Sequence, residues 1–202
     1  MKNKKRRFTI FLSVLIALSV VLATFFGIRA FRNRNIIHEG GYDESFDFYT
    51  ITKNDNGIYS VEITDKNRNS LFSKQDLTKE PCVEQVNRHI VGLTVQAGTG
   101  QSTNWAIYCD VENSKVSETF YYVLMAQGDY VIFANRENNE HSIIVQNIFD
   151  KSKYYEKHIL TDCSPVAADF VIGAKPYGEG VAIITYLTGD DYTETEITIN
   201  FP

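Results

Sequence analysis

This sequence lacks every compact motif that would name a chemistry. No serine or cysteine sits in a nucleophile elbow. His38, His89, His141 and His158 are scattered, with no i,i+4 pair and no acidic neighbour in a triad-like context. A catalytic triad would have to converge from separate segments in space. Cys82, Cys109 and Cys163 share no metal-ligand spacing. No Asn-X-Ser/Thr sequon occurs, so no N-glycan is expected. No cysteine precedes Cys82, which excludes a lipid-bearing N-terminal cysteine of the bacterial lipoprotein kind. The sequence therefore nominates no catalytic, cofactor-binding or metal-binding residue, and no cofactor.

Charge is missing from one long stretch. Phe8 to Ile28 are 21 consecutive uncharged residues. As a helix they would extend about 31 Å, enough to cross a bilayer core. Lys2, Lys4, Lys5, Arg6 and Arg7 precede the span, and Arg29, Arg32 and Arg34 follow it. Five basic residues plus the amino terminus against three place the N-terminus in the cytoplasm and the remainder outside. A cleaved signal peptide would have an apolar region of about 7 to 15 residues and a small-x-small cleavage site. Here the run is longer, and Ile28-Arg29-Ala30 has the wrong residue at two of three positions. The expected organisation is a cytoplasmic tail (1–7), an uncleaved transmembrane signal anchor (8–28), a linker containing Gly40-Gly41 (29–42) and an extracytoplasmic domain (43–202). The expected location is the cell membrane, crossed once.

Acidic residues are absent until Glu39. Residues 36–202 then hold 12 Lys and Arg against all 25 Asp and Glu, a net charge of −13. Such a domain repels nucleic acid, anionic lipid headgroups and anionic wall polymers. It suits cationic partners or divalent ions, and it also suits simple solubility.

What remains is rich in Tyr, Phe, Val, Ile and Thr, in runs separated by Asn, Asp, Gly and Lys, and reads as strands almost throughout. Four segments share one pattern of apolar strand, short polar turn and alternating strand. They are Tyr59 to Asp65 with turn KNRN, Trp105 to Val111 with ENSK, Ser142 to Phe149 with DKSK, and Val181 to Thr188 with GDD. The turns begin 46, 38 and 39 residues apart. Strands at Phe46–Lys53, His89–Val95, Asp129–Ala134 and Asp169–Lys175 precede them. The expected fold is all-β, a three-stranded antiparallel meander repeated four times after the transmembrane helix. The arrangement is a partial β-propeller or a set of stacked sheets. Thr78 to Arg88 supplies a further strand or a helical turn. Middle strands such as Val181–Thr188 are apolar on both faces, which packed sheets require. Trp105, Ile107, Ile144, Val145, Ile183, Ile184 and Ile197 are the expected core.

Local candidates weaken on inspection. Gly98 to Asn104 lacks the lysine and following helix of a phosphate cradle and reads as a connecting loop. Asn54-Asp55-Asn56-Gly57 lacks the carboxylate series of a calcium loop and reads as a hairpin turn. Asp190, Asp191 and Glu194 form the densest acidic cluster, at a turn, and read as solvated. Tyr121, Tyr122, Tyr154, Tyr155, Tyr177, Tyr186 and Tyr192 invite a glycan-binding idea, but aromatics also build β cores. Alternation puts Cys109 on the face of Trp105, Ile107 and Val111, as a buried thiol. Cys82 and Cys163 lie near turn-like stretches and are the pair to bond if any does. His158 reads as a surface residue of an alternating strand.

The strings TNWAIYCDVENSKVSETF, SIIVQNIFDKSKYYEKHIL, SPVAADFVIGAK and VAIITYLTGDDYTETEITI resemble a recurring C-terminal β-domain. That domain is found in membrane-anchored proteins and lipoproteins of Gram-positive anaerobes. The resemblance covers residues 89 to 200, implies an envelope location and carries no activity or site residue. Missing catalytic motifs favour a non-catalytic domain that binds an envelope protein, peptide or glycan. The alternative is a hydrolase whose residues converge from separate loops. The topology makes a direct prediction: protease added to intact spheroplasts degrades residues 43–202. Full protection of the domain would reverse the orientation, and release of a shortened soluble protein would show cleavage.

Overall fold

Short polar turns set the register of this chain. Asn54 accepts hydrogen bonds at its Oδ1 from the Asn56 and Ile58 N–H groups, both at 3.0 Å. Gly57 then turns the chain at φ +78°, a conformation that suits a residue without Cβ. The Asn54–Gly57 hairpin expected from sequence is present. It joins β1 (Tyr49–Lys53) to β2 (Tyr59–Thr64) in antiparallel register. The structure, a computed structural model, describes residues 47–97, 103–138, 140–164 and 170–202. The 8–28 span and most of the 98–104 loop lie outside the described residues. Among those described, no helix is long and apolar enough to cross a membrane.

Every described element is a strand. The first sheet adds β3 (Ser70–Leu77) to β1 and β2. The second holds β4 (Cys82–Gln85), β5 (Ile90–Gln96), β6 (Asn104–Asp110) and β7 (Lys115–Val116), with β8 (Phe120–Tyr121) also on β6. The third holds β9 (Val123–Gln127), β10 (Tyr130–Glu137), β11 (Glu140–Asn147) and β12 (Tyr155–Leu160). The fourth holds β13 (Val171–Pro176), β14 (Val181–Thr188) and β15 (Thr193–Asn200). All pairings are antiparallel, so the all-β expectation holds. The uniform three-stranded unit does not: the two inner sheets carry five and four strands. The Thr78–Arg88 segment supplies β4, a strand rather than a helical turn.

Three apolar clusters join successive sheets. Val61, Ile63 and Leu77 pack with Leu93, Cys109 and Val111 between the first two. Ile90, Tyr108 and Phe120 pack with Val123, Val131 and Ile148 between the second and third. Ile132, Ile143 and Val145 pack with Ile184, Tyr186 and Ile199 between the third and fourth. Each buried Ile or Leu side chain contributes about 1.5 to 3 kcal/mol of transfer free energy. Position in this series decides which strands are buried on both faces. In β6, Ala106 to Asp110 are all buried, and in β11, Ser142 to Asn147 are.

The middle strands of the end sheets behave differently. In β14 only Ala182, Ile184 and Tyr186 are buried, while Val181, Ile183 and Leu187 are half-exposed on the far face. The two-sided reading of β14 is thus corrected, because no described sheet covers its outer face. Ile183 leaves the expected core for that reason. Ile197 is only half-buried, against the third–fourth cluster. Trp105, second residue of β6, is half-buried at the margin of the first–second cluster. Ile107, Ile144, Val145 and Ile184 are buried as expected, and so is Cys109.

One contact in the second sheet is tight. A Cβ at Gly92 would lie 2.9 Å from Cε1 of Tyr108 and 3.3 Å from Cγ2 of Val86. The glycine lets the Tyr108 ring lie against β5, and that ring continues through Phe120 to Phe133 at centroid spacings of 5.8 and 5.6 Å. The Tyr108 hydroxyl is buried and makes no hydrogen bond to any described residue. Gly92→Ala should therefore cost about 1 to 3 kcal/mol by overpacking. Tyr108→Phe should leave stability unchanged or raise it by up to about 1 kcal/mol, since it removes an unpaired buried polar group. Urea midpoints of the full-length chain check both, and a clear loss in Tyr108→Phe would mean that the hydroxyl has a partner.

Candidate functional site

Among the described residues a polar cleft forms at the end of the third sheet, beside the crossover to the fourth. Register places Arg136 of β10 opposite His141 of β11, and His141 opposite Leu160 of β12. The three side chains stand on the face turned toward the fourth sheet, because they share strand parity with the buried Ala134 and Ile143. After β12 the chain crosses to the fourth sheet. The Gly189 N–H donates to the Asp162 carbonyl at 2.9 Å, and Cys163 bridges Thr188. Arg136, Asn138, Glu140, His141, Leu160, Asp162 and Cys163 then line an open cleft of about 500 Å³.

The protonation states in this cleft are informative. The His141 ring stands edge-on to Phe170 with centroids 4.6 Å apart. Burial, and then the nearby Arg136 charge, hold its pKa below the ordinary value. Burial, and then the Asp162 charge, push the Cys163 thiol up. At neutral pH the cleft thus holds a neutral imidazole and a protonated thiol. A raised thiol pKa lowers the thiolate population at neutral pH. Beside them stand a guanidinium, a side-chain amide, two carboxylates and the Leu160 side chain. No group of three His, Cys, Asp or Glu side chains among the described residues is placed to hold a metal ion.

The other sequence candidates do not assemble. His89 lies beside the second-sheet turn and helps to hold the Asp110 carboxyl low. His158 is corrected from a surface residue to a half-buried one, with Nε2 3.4 Å from Glu156. It lies on the Leu160 side of β12, facing the fourth sheet, whereas its neighbour Ile159 points outward at 57% exposure. His38 lies outside the described residues. The Asp190–Glu194 cluster is an exposed turn in which Asp191 accepts a hydrogen bond from the Thr193 hydroxyl. Tyr121, Tyr122, Tyr155, Tyr177 and Tyr192 are exposed but sit on separate strands and turns, while Tyr154 and Tyr186 are packed against the core.

All three thiols are free. Cys82 lies in the second sheet and Cys163 against the fourth. A bond would need Cα atoms within about 7 Å, and the third sheet comes between. The suggested pairing is therefore not made. Burial pushes the Cys109 thiol up to about 12, which fits its place in the core.

Sequence reasoning missed two buried carboxylates. Asp65 accepts hydrogen bonds from the Asn67 and Asn69 N–H groups at 2.8 Å, from the Asn69 side-chain amide at 3.1 Å and from the Ser114 hydroxyl at 3.0 Å. Asp110 accepts from the Glu112 and Asn113 N–H groups and from the Asn113 side chain. The signal was present as Asp-Lys-Asn-Arg-Asn and Asp-Val-Glu-Asn, the side-chain-to-backbone turns that Asp and Asn favour. Ser114 belongs to the second sheet's turn, and the Lys66 N–H donates to the Val111 carbonyl, so Asp65 ties two sheets together. The Asn69 side chain chiefly holds the Asp65 carboxyl low. At Asp110 burial opposes ionisation but is outweighed by hydrogen bonds from Asn113, with His89 and the Glu112 N–H adding.

These shifts set the pH dependence. Asp65, Asp110 and His141 all have folded-state pKa values below their unfolded ones. Each therefore contributes stability above its unfolded pKa and loses it as pH falls. Urea midpoints should begin to drop below pH 6.5 through His141 and fall further as pH passes 3.8 through the two aspartates. Asp65→Asn and Asp110→Asn should be less stable at neutral pH and show a shallower acid limb. An unchanged limb in both would remove the carboxylates from the account. Compared with protein-family models, with curated proteins and with solved structures, the chain matches none.

Proposed function

We propose that residues 43–202 are the displayed, non-catalytic binding domain of a single-pass membrane protein, serving at the cell envelope. The observation that supports the non-catalytic part is the cleft at the end of the third sheet. It gathers an imidazole and a thiol whose pKa burial pushes up, which lowers the share of the thiolate that a cysteine nucleophile uses. The uncharged Phe8–Ile28 run and its basic flanks support the membrane anchor and the outward orientation. The resemblance to envelope β-domains supports the same location. Four successive sheets with apolar faces between neighbours support a partial, open propeller-like series. The net charge of −13 over residues 36–202 favours a cationic protein, peptide or glycan and disfavours nucleic acid.

A hydrolase is the second reading, favoured by the presence of Cys163 and His141 in one cleft. Crosslinking and pull-down from intact membranes separates the two. The wild-type chain should capture a defined partner, and the paired variant Arg136→Ala, Asn138→Ala should lose it with an unchanged urea midpoint. Equal capture by that variant would move binding away from the cleft. Turnover of an envelope peptide or glycan that disappears in Cys163→Ser would replace this reading with the hydrolase.

A further inference from the structure

An unprotected strand edge is the feature of this fold that calls for a partner. Most edge strands here are short, broken or blunted. β4 has four residues, β7 and β8 two each, and β1 five with Lys53 at its end. β3 and β9 carry register breaks, and β13 has a break and ends in Pro176. β12 carries Lys157 at its middle. These are the usual defences against unwanted pairing. β15 is long and regular, and its charged side chains are the exposed Glu194 and Glu196 alone. It runs eight residues, Thr193 to Asn200, in unbroken register with β14 and contains no proline or lysine.

The neighbouring sheet shows what is missing. The Gln127 side-chain amide at the end of β9 donates to the Gly178 carbonyl in the turn after β13, so these two strands end side by side. β13, β14 and β15 thus correspond to β9, β10 and β11. In the third sheet β12 covers the outer edge of β11. In the fourth, no described strand covers the outer edge of β15. Its polarity is fixed as well. The Phe201 N–H donates to the Gly180 carbonyl, so alternation turns the N–H and C=O groups of Glu194, Glu196, Thr198 and Asn200 outward. All four residues are exposed.

We propose that the outer edge of β15 accepts an antiparallel strand from a partner protein, in an extended segment where basic and apolar residues alternate. Glu194 and Glu196 stand two apart on the outer face, and although Glu196 pairs with Lys175 of β13 at 3.6 Å, both carboxylates are exposed, so basic residues on alternate positions of the incoming strand lie beside them. The other face carries Thr195, Ile197 and Ile199 toward the third-sheet cluster and takes the apolar residues. Backbone hydrogen bonds supply affinity and the alternating side chains supply selectivity. This surface is distinct from the cleft, and the inference rests on the binding-domain reading only in expecting a protein ligand.

The test uses the full-length chain and a ten-residue peptide alternating valine and lysine. The peptide should slow hydrogen exchange at Glu194, Glu196 and Thr198. Methylating the peptide nitrogens that face β15 keeps every charge but removes the donors, and should weaken binding at least about tenfold. Thr198→Pro removes an outward N–H while sparing the ladder to β14, and should weaken binding similarly with the urea midpoint nearly unchanged. Equal binding of the methylated peptide would reduce the effect to charge alone and overturn the proposal. So would amides that exchange slowly in the monomer before peptide is added, since residues 1–46 would then cover the edge. A dimer abolished by Thr198→Pro, without peptide binding, would overturn it in favour of a second copy. Pull-down through the cleft is unaffected by any of these outcomes, so the two readings fail separately.

Discussion

Strands that are apolar on both faces impose the architecture of this domain. β6 and β11 bury consecutive residues, so each needs a covering layer above and below. A single sheet cannot provide that, and a two-sheet sandwich buries only one face of each sheet. A series of sheets satisfies both strands, with the second and third sheets inside and the first and fourth at the ends. The polar turns then fall at the ends of the strands, where Asp65 and Asp110 convert loose backbone donors into hydrogen-bonded turns.

Much of this was legible in the residues. The spacing of the four strand–turn segments located β2, β6, β11 and β14 and the turns that follow them. Period-two alternation identified Cys109 as buried alongside Ile107 and Val111. Alternation could not say whether an apolar face has a neighbour. Ile183 and Ile184 look alike in sequence, but only Ile184 meets the third sheet. The same blindness affected His158, whose polar ring lies on the covered side of an edge strand while Ile159 faces water. Burial in an end layer depends on what lies across from it, and local pattern carries no record of that.

The cleft was not legible at all. Arg136, His141, Leu160 and Cys163 come from two strands, the end of a third and a crossover, and only antiparallel register brings them together. No spacing rule in sequence encodes such a set. Its electrostatic character also depends on three dimensions, since burial, and then Arg136 across the ladder, lower the pKa of His141, whose ring stands against Phe170.

Serial layering has a consequence for how the chain comes into being. Strands β1 to β6 and β9 to β15 pair with their neighbours in sequence within each sheet, and each sheet packs on the next one made. Loop closures are short, so each hairpin can form without waiting for distant segments. During synthesis the strands of the first sheet emerge before those of the second, which cover it. A ribosome that paused after any sheet but the last would hold a stub whose apolar face awaits the next layer.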